Sequence, residues 1–148
     1  MDNSYQAIKN LIYTYADRID AGDYEGLARL FEHTEITAEA MDEPIRGSEQ
    51  VLAMYTASTR KYEETGTPRT KHVTTNVIIE VDEENDTATA KAYYTVMQAV
   101  PGSLPLQPVI SGRYRDEFER VDGVWRFSRR HMYIDLVGDL SQHLLFEL

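Results

Sequence analysis

The chain changes its hydrophobic period once, near its middle, and the order of the two halves constrains the fold more than any other feature. In the first half Ile8, Leu11, Ile12, Tyr15 and Ile19 recur at spacings of three and four, one face of a helix that Asn3 or Ser4 can cap and Ala21-Gly22 can end. Asp23 can cap a short second helix with Leu27, Leu30 and Phe31 on its buried side, and Ser48 a third carrying Val51, Leu52 and Tyr55. The second half alternates instead. Residues 72–81, 88–99, 109–121 and 124–136 are rich in β-branched and aromatic side chains with period-two stretches, so four long strands are expected. Asp122-Gly123 between the last two marks a type I′ hairpin, because that turn needs positive φ at both central positions. Glu83-Glu84-Asn85-Asp86 reads as another turn, and Pro101 to Pro105 with Pro108 as a longer excursion near a strand end.

Amphipathic helices followed by a strand meander give an α+β fold, with helices on one face of an antiparallel sheet. A chain of 148 residues without an internal linker has room for one core, so residues 1–148 are read as a single domain. Long strands twist and can curl, and a strongly curved sheet closed by helices forms a cone with one apolar, ligand-sized pocket.

Composition removes several function classes. With 25 acidic against 15 basic residues the formal charge is −10, which repels polyanions. The basic clusters Arg113/Arg115 and Arg126/Arg129/Arg130 lie in strand-like segments beside Asp116, Glu117 and Glu119, so nucleic acid is not an expected partner. The chain has no cysteine, which excludes disulfides, thiolate metal sites and a cysteine nucleophile. Met1-Asp2-Asn3-Ser4 is polar and acidic, and no apolar run approaches the roughly 20 residues of a membrane span; a cytoplasmic location and no membrane partner are the default expectations. His33, His72, His131 and His143 are dispersed without a metal-ligand spacing, and neither a glycine-rich phosphate loop nor a Gly-x-Ser-x-Gly turn is present, so no metal and no cofactor are expected.

The polar residues on the apolar faces are the candidate site. Relative to Ile12, Tyr15 lies about 60° to one side of the first helix and Asp20 about 80° to the other, so both border the buried stripe. A carboxylate there is either solvated at the helix end, capping the next turn, or buried with a partner, and the first reading is the commoner because buried acids are rare. Asp17 and Asp23 read as a surface acid and a cap. His72 alternates with Thr74 and Asn76, opposite Val73, Val77, Ile79 and Val81; that polar face meets either solvent or a wet pocket. An unperturbed histidine titrates near pH 6.5, which suits proton transfer. On the last strand Trp125, Phe127, Arg129, His131, Tyr133 and Asp135 are expected on one face, with His131 a candidate ligand contact. Tyr55, Tyr93 and Tyr94 are candidate pocket walls.

Three stretches, residues 15–24 (Tyr-Ala-Asp-Arg-Ile-Asp-Ala-Gly-Asp-Tyr), 71–76 (Lys-His-Val-Thr-Thr-Asn) and 112–127 around Gly112-Arg113-Tyr114-Arg115-Asp116-Glu117-Phe118, resemble the SnoaL-like family of the nuclear transport factor 2-like superfamily. The resemblance implies the cone-shaped, cystatin-like version of the α+β fold. It also extends to scytalone dehydratase, the bile-acid 7α-dehydratases and hexachlorocyclohexane dehydrochlorinase, in which an aspartate near the end of the first helix pairs with a histidine at the start of a strand; Asp20 and His72 match those positions. Tyr15 stands where the bile-acid enzymes carry a functional tyrosine and the dehydrochlorinase a lysine, and the region 94–99 lacks the additional histidine of scytalone dehydratase.

The resemblance therefore implies a metal-independent acid–base lyase or isomerase, dehydratase-like, acting on a cyclic hydroxy-carbonyl compound such as a polyketide, terpenoid or steroid. Tyr15, Asp20 and His72 would be its catalytic residues, and Tyr55, Tyr94 and His131 would bind substrate. The alternative within the same fold is a non-catalytic protein that binds an apolar or cyclic small molecule, or serves assembly. A homo-oligomer, most simply a two-fold dimer through the last three strands, is expected because the sheet's convex face is left uncovered.

Overall fold

A computed structural model describes residues 3–148; of the N-terminal stretch read above, Met1 and Asp2 lie outside the described residues. Helix α1 (Ser4–Asp20) begins at Asn3, whose side chain accepts from the Gln6 amide, and stops at Ala21 and the left-handed Gly22. Asp23 caps α2 (Tyr24–Leu30) by accepting from the Gly26 amide at 2.8 Å. Strands β1 (Glu35–Ala38) and β2 (Ile45–Arg46) follow, then α3 (Gly47–Ser58). The remainder is β3 (Thr70–Asp82), β4 (Thr87–Val100), β5 (Leu104–Val121) and β6 (Val124–Val137). No helix among the described residues is long and apolar enough to cross a membrane.

The six strands form one sheet in the order β2-β1-β6-β5-β4-β3, antiparallel except where β1 runs parallel to β6. Asp122 and Gly123 both have positive φ, as the β5–β6 hairpin requires. The apolar stripes of α1 and α2 meet the concave side of the sheet, and Ile8, Ile12, Leu27, Phe31, Phe118 and Phe127 are fully buried between them. The Trp125 indole donates to Ser4 Oγ at 3.1 Å and pins the start of α1 to β6. Gly112 permits a close crossing: the Tyr94 hydroxyl passes over it to donate to the Tyr133 carbonyl at 2.7 Å, and a Cβ there would collide with both.

Four local expectations are corrected. Among the described residues the sheet has six strands rather than four, because β1 and β2 are too short to show a period and owe their order to pairing with each other and with β6. Ser48 does not cap α3: the cap is Arg46, without a side-chain bond, and its own amide donates to Gln50 Oε1. The segment after Pro101 is a tight turn, and Pro105 and Pro108 lie inside β5. They are tolerated because β6 joins β5 only from Ile110 onward, which leaves the first residues of β5 an open edge that needs no donors.

The fourth correction reorders side chains. A bulge between Thr75 and Ile78, with Asn76 at φ 54°, inserts one residue into β3. His72 and Thr74 therefore share the inner face with Val77, Ile79 and Val81, while Val73 turns outward. A second bulge, at Ser128, separates the pairs Phe118–Phe127 and Glu117–Arg129. Trp125 and Phe127 face the core before it, and Arg130 after it; Arg129, His131 and Tyr133 line the convex side.

Candidate active site

The last residue of α1 and the beginning of β3 meet side by side. Asp20 accepts three hydrogen bonds there: from Thr70 Oγ1 at 2.8 Å, from the His72 backbone amide at 2.7 Å and from His72 Nδ1 at 2.7 Å. The His72 side chain is 5% exposed and that of Asp20 13%. Burial by itself would raise the carboxyl's pKa, but the hydrogen bonds and charge offered by His72, and the Thr70 hydroxyl, hold it below the ordinary value. A carboxylate kept ionised fixes the proton of a neutral imidazole on Nδ1 and leaves Nε2 as the basic nitrogen.

Beside this pair opens a cavity of about 410 Å³, within the range of small-molecule sites. Tyr15, Tyr55, His72 and Tyr94 line it together with apolar side chains such as Val96, Ile110, Met132 and Ile134. Tyr15 and Tyr55 share a buried hydroxyl–hydroxyl hydrogen bond of 2.7 Å. Burial pushes both phenols up, Tyr55 well above the ordinary value, so they are neutral donors at any working pH. The Tyr15 ring stands edge-on to His72, with centroids 6.1 Å apart.

Two tyrosine and histidine assignments fail. Tyr93 is half exposed and points away from the cavity. His131 is on the convex face, where its Nδ1 bonds the Thr37 hydroxyl at 2.5 Å and its ring lines a polar groove with Arg115, Glu117 and Arg129. It is not a substrate contact in the cavity, because the Ser128 bulge turns it through the sheet.

Three cavity-side residues escaped the reading of the sequence. Tyr114 stacks on Tyr94 at 4.6 Å and lines the cavity; its place in the Gly112-Tyr114-Asp116-Phe118 alternation was the available signal. Arg130 is completely buried behind the tyrosines, its guanidinium 3.9 Å from the Tyr114 ring and 4.6 Å from that of Tyr15. Asp116 holds it with two bonds of 2.8 and 3.0 Å. Burial alone would lower its pKa, but the Asp116 carboxylate outweighs that and keeps the group charged. His143, from the segment after β6, also lines the cavity, and no periodic pattern announces it. Among the described residues no three histidine, aspartate or glutamate side chains converge as a metal site.

The SnoaL-like domain pattern matches residues 3–131. No curated protein sequence matches the chain. Among solved structures, an aspartate-to-asparagine variant of a function-unknown protein from Mycobacterium tuberculosis is 26% identical, with a TM-score of 0.70 over 90% of this chain and 72% of that one. A protein provisionally named a scytalone dehydratase from Novosphingobium aromaticivorans is 25% identical, with a TM-score of 0.70 over 91% and 86% of the two chains. LinA, at 23% identity and a TM-score of 0.71 over 93% of this chain and 90% of its own, shares the fold.

Proposed function

The chain belongs to the SnoaL-like domain family, and from that premise we propose that it is a metal-independent acid–base lyase or isomerase, dehydratase-like, acting on a cyclic hydroxy-carbonyl compound. The observation that carries this reading is the 2.7 Å Asp20–His72 hydrogen bond in the wall of an otherwise largely apolar cavity.

His72 Nε2 takes the proton α to the substrate carbonyl. The C–H electron pair moves into an enolate, and the imidazolium is stabilised by the Asp20 carboxylate. In an elimination the electrons return to form the C=C bond, and the hydroxyl leaves as water with the proton handed back by His72. In an isomerisation that proton returns to another carbon. Tyr15, kept neutral and paired with Tyr55, donates a hydrogen bond to the developing enolate or the departing hydroxyl. A positioned base is worth about 10²–10⁴-fold in rate, and the cavity adds orientation and exclusion of water.

The test is proton exchange and turnover on a panel of cyclic hydroxyketones in D2O, followed by NMR. His72→Ala and Asp20→Asn should each lower the rate about 10²–10⁴-fold, and the double variant little further, as groups acting as a unit do. Tyr15→Phe removes one hydrogen bond and should cost roughly 3–10-fold. Ligand binding by the wild-type protein with no exchange or turnover on any compound would identify a binding protein instead.

The reading includes a two-fold dimer. Its support is the uncovered convex side of the sheet, together with exposed Ile78, Tyr93, Leu136 and Val137. Light scattering at micromolar concentration should give twice the 17.0 kDa chain mass; a monomer mass refutes it.

A further inference from the structure

Beyond β6 the chain turns back along the cavity, and its backbone is fixed there. The Arg60 amide donates to the His143 carbonyl at 2.8 Å, the Leu145 amide to the Ser58 carbonyl at 2.9 Å, and Gln98 Nε2 to the Gln142 carbonyl at 3.0 Å. These bonds hold His143 beside His72, with ring centroids 6.1 Å apart, and leave it 5% exposed.

The imidazole's Nδ1 is buried with no hydrogen-bond partner. An orphaned N–H is rarer in folded proteins than an orphaned acceptor, so the tautomer that suits this pocket carries its proton on Nε2. Burial, and then the charge of nearby His72, push the His143 pKa down to about 4, against a weaker opposing pull from Asp20. The ring is therefore neutral at working pH and offers the cavity one N–H donor without a charge.

We propose that His143 is a substrate-contacting residue whose Nε2–H donates a hydrogen bond to the substrate's carbonyl oxygen while His72 addresses the adjacent α-carbon. This rests on the acid–base reading above and orients the substrate within it. From the α-carbon to the carbonyl oxygen is about 2.4 Å, and a base contact and a hydrogen bond add about 3 Å at either end. A bent path of that length fits two rings 6.1 Å apart. The Tyr15–Tyr55 pair is then left for the departing hydroxyl. As the enolate forms, negative charge develops on the oxygen that His143 already holds, so the contact strengthens towards the transition state. A ligand lacking that oxygen would leave the donor unpaired.

The experiment reads binding rather than turnover, with 2-tetralone and its parent hydrocarbon tetralin as probes. Calorimetry on the wild-type protein should show a preference for the ketone of about tenfold, the upper range for one buried hydrogen bond. Within the His143→Phe variant the ratio of ketone to hydrocarbon affinity should fall to within about twofold, while His143→Gln, which keeps an N–H donor, should retain most of the preference. The carbonyl carbon of 13C-labelled 2-tetralone should move downfield on binding to the wild type and not on binding to His143→Phe. Equal wild-type affinity for the two probes, or a preference that survives in His143→Phe, overturns the proposal. A ketone preference lost with His143 in a protein that exchanges no protons would refute the enzymatic reading and leave this contact standing; proton exchange without the preference would do the reverse.

Discussion

Strands β5 and β6 carry two arginine–aspartate forks of the same shape on opposite faces of one sheet. Arg130 holds Asp116 at 2.8 and 3.0 Å, and Arg113 holds Asp135 at 2.8 and 3.0 Å. The first pair is 0% and 1% exposed, the second 35% and 40%. Identical geometry thus sits in two different media. On the convex face water competes for both partners and screens their attraction, so the fork adds little. On the concave face no water is available to take over if one partner is lost. Arg130 also underlies Tyr15 and Tyr114, so the buried fork supports the tyrosine wall of the cavity from behind.

The largest difference between the faces should appear when each fork loses its acid. Asp116→Asn leaves a buried guanidinium without its counter-charge, and urea denaturation should show a loss of about 3–5 kcal/mol. Asp135→Asn should move the urea midpoint far less, because water takes over both partners. Equal losses would mean that burial does not distinguish the two faces.

A pH titration of stability sharpens the contrast for His143. Its folded-state pKa is depressed to about 4, while in the unfolded chain a histidine accepts a proton near pH 6.5. Between those values the unfolded state binds more protons, so stability rises with pH: the contribution of this ring is fully present above about 6.5 and is lost as pH falls towards 4. The full difference is on the order of 3 kcal/mol. Asp20, whose pKa is lowered, contributes in the same direction but loses its share only below the ordinary carboxylate range. Chemical denaturation between pH 7 and 4 should therefore show a slope that His143→Phe removes; an unchanged slope in that variant would mean that the ring is not held neutral by burial.

What the sequence revealed is what depends on near neighbours. The stripe Ile8–Ile19, the Asp23 cap and the Asp122-Gly123 turn are set within a few residues, and each was legible. The bulges were not, because whether a residue is left unpaired depends on the facing strand. One such residue, Ser128, turned His131 outward and Arg130 inward. Asp20 and His72 stand 52 positions apart, and their periods placed each on a mixed boundary without joining them; the family resemblance supplied the pairing. Burial of Arg130 defies the usual expectation for a charged side chain and is intelligible only with Asp116 opposite it.

The smallest effect should follow from replacing His131, whose ring resembles that of His72 in sequence setting and differs in the face it occupies. His131 Nδ1 bonds Thr37 Oγ1 and ties β6 to its parallel neighbour β1. Both residues are only partly buried, so in His131→Ala the Thr37 hydroxyl can turn to water and the net loss should lie at the low end for a hydrogen bond, about 0.5–1 kcal/mol. The ring has the thickness of the sheet between it and the Tyr15–His72 cavity, which predicts proton-exchange rates and 2-tetralone affinity indistinguishable from the wild type. Both are measurable on the same preparation, with thermal denaturation as the control for folding. A fall in exchange rate of the size expected for His72→Ala, in a variant that remains folded, would show that the convex histidine takes part in the chemistry and that the division of labour between the two faces is wrong.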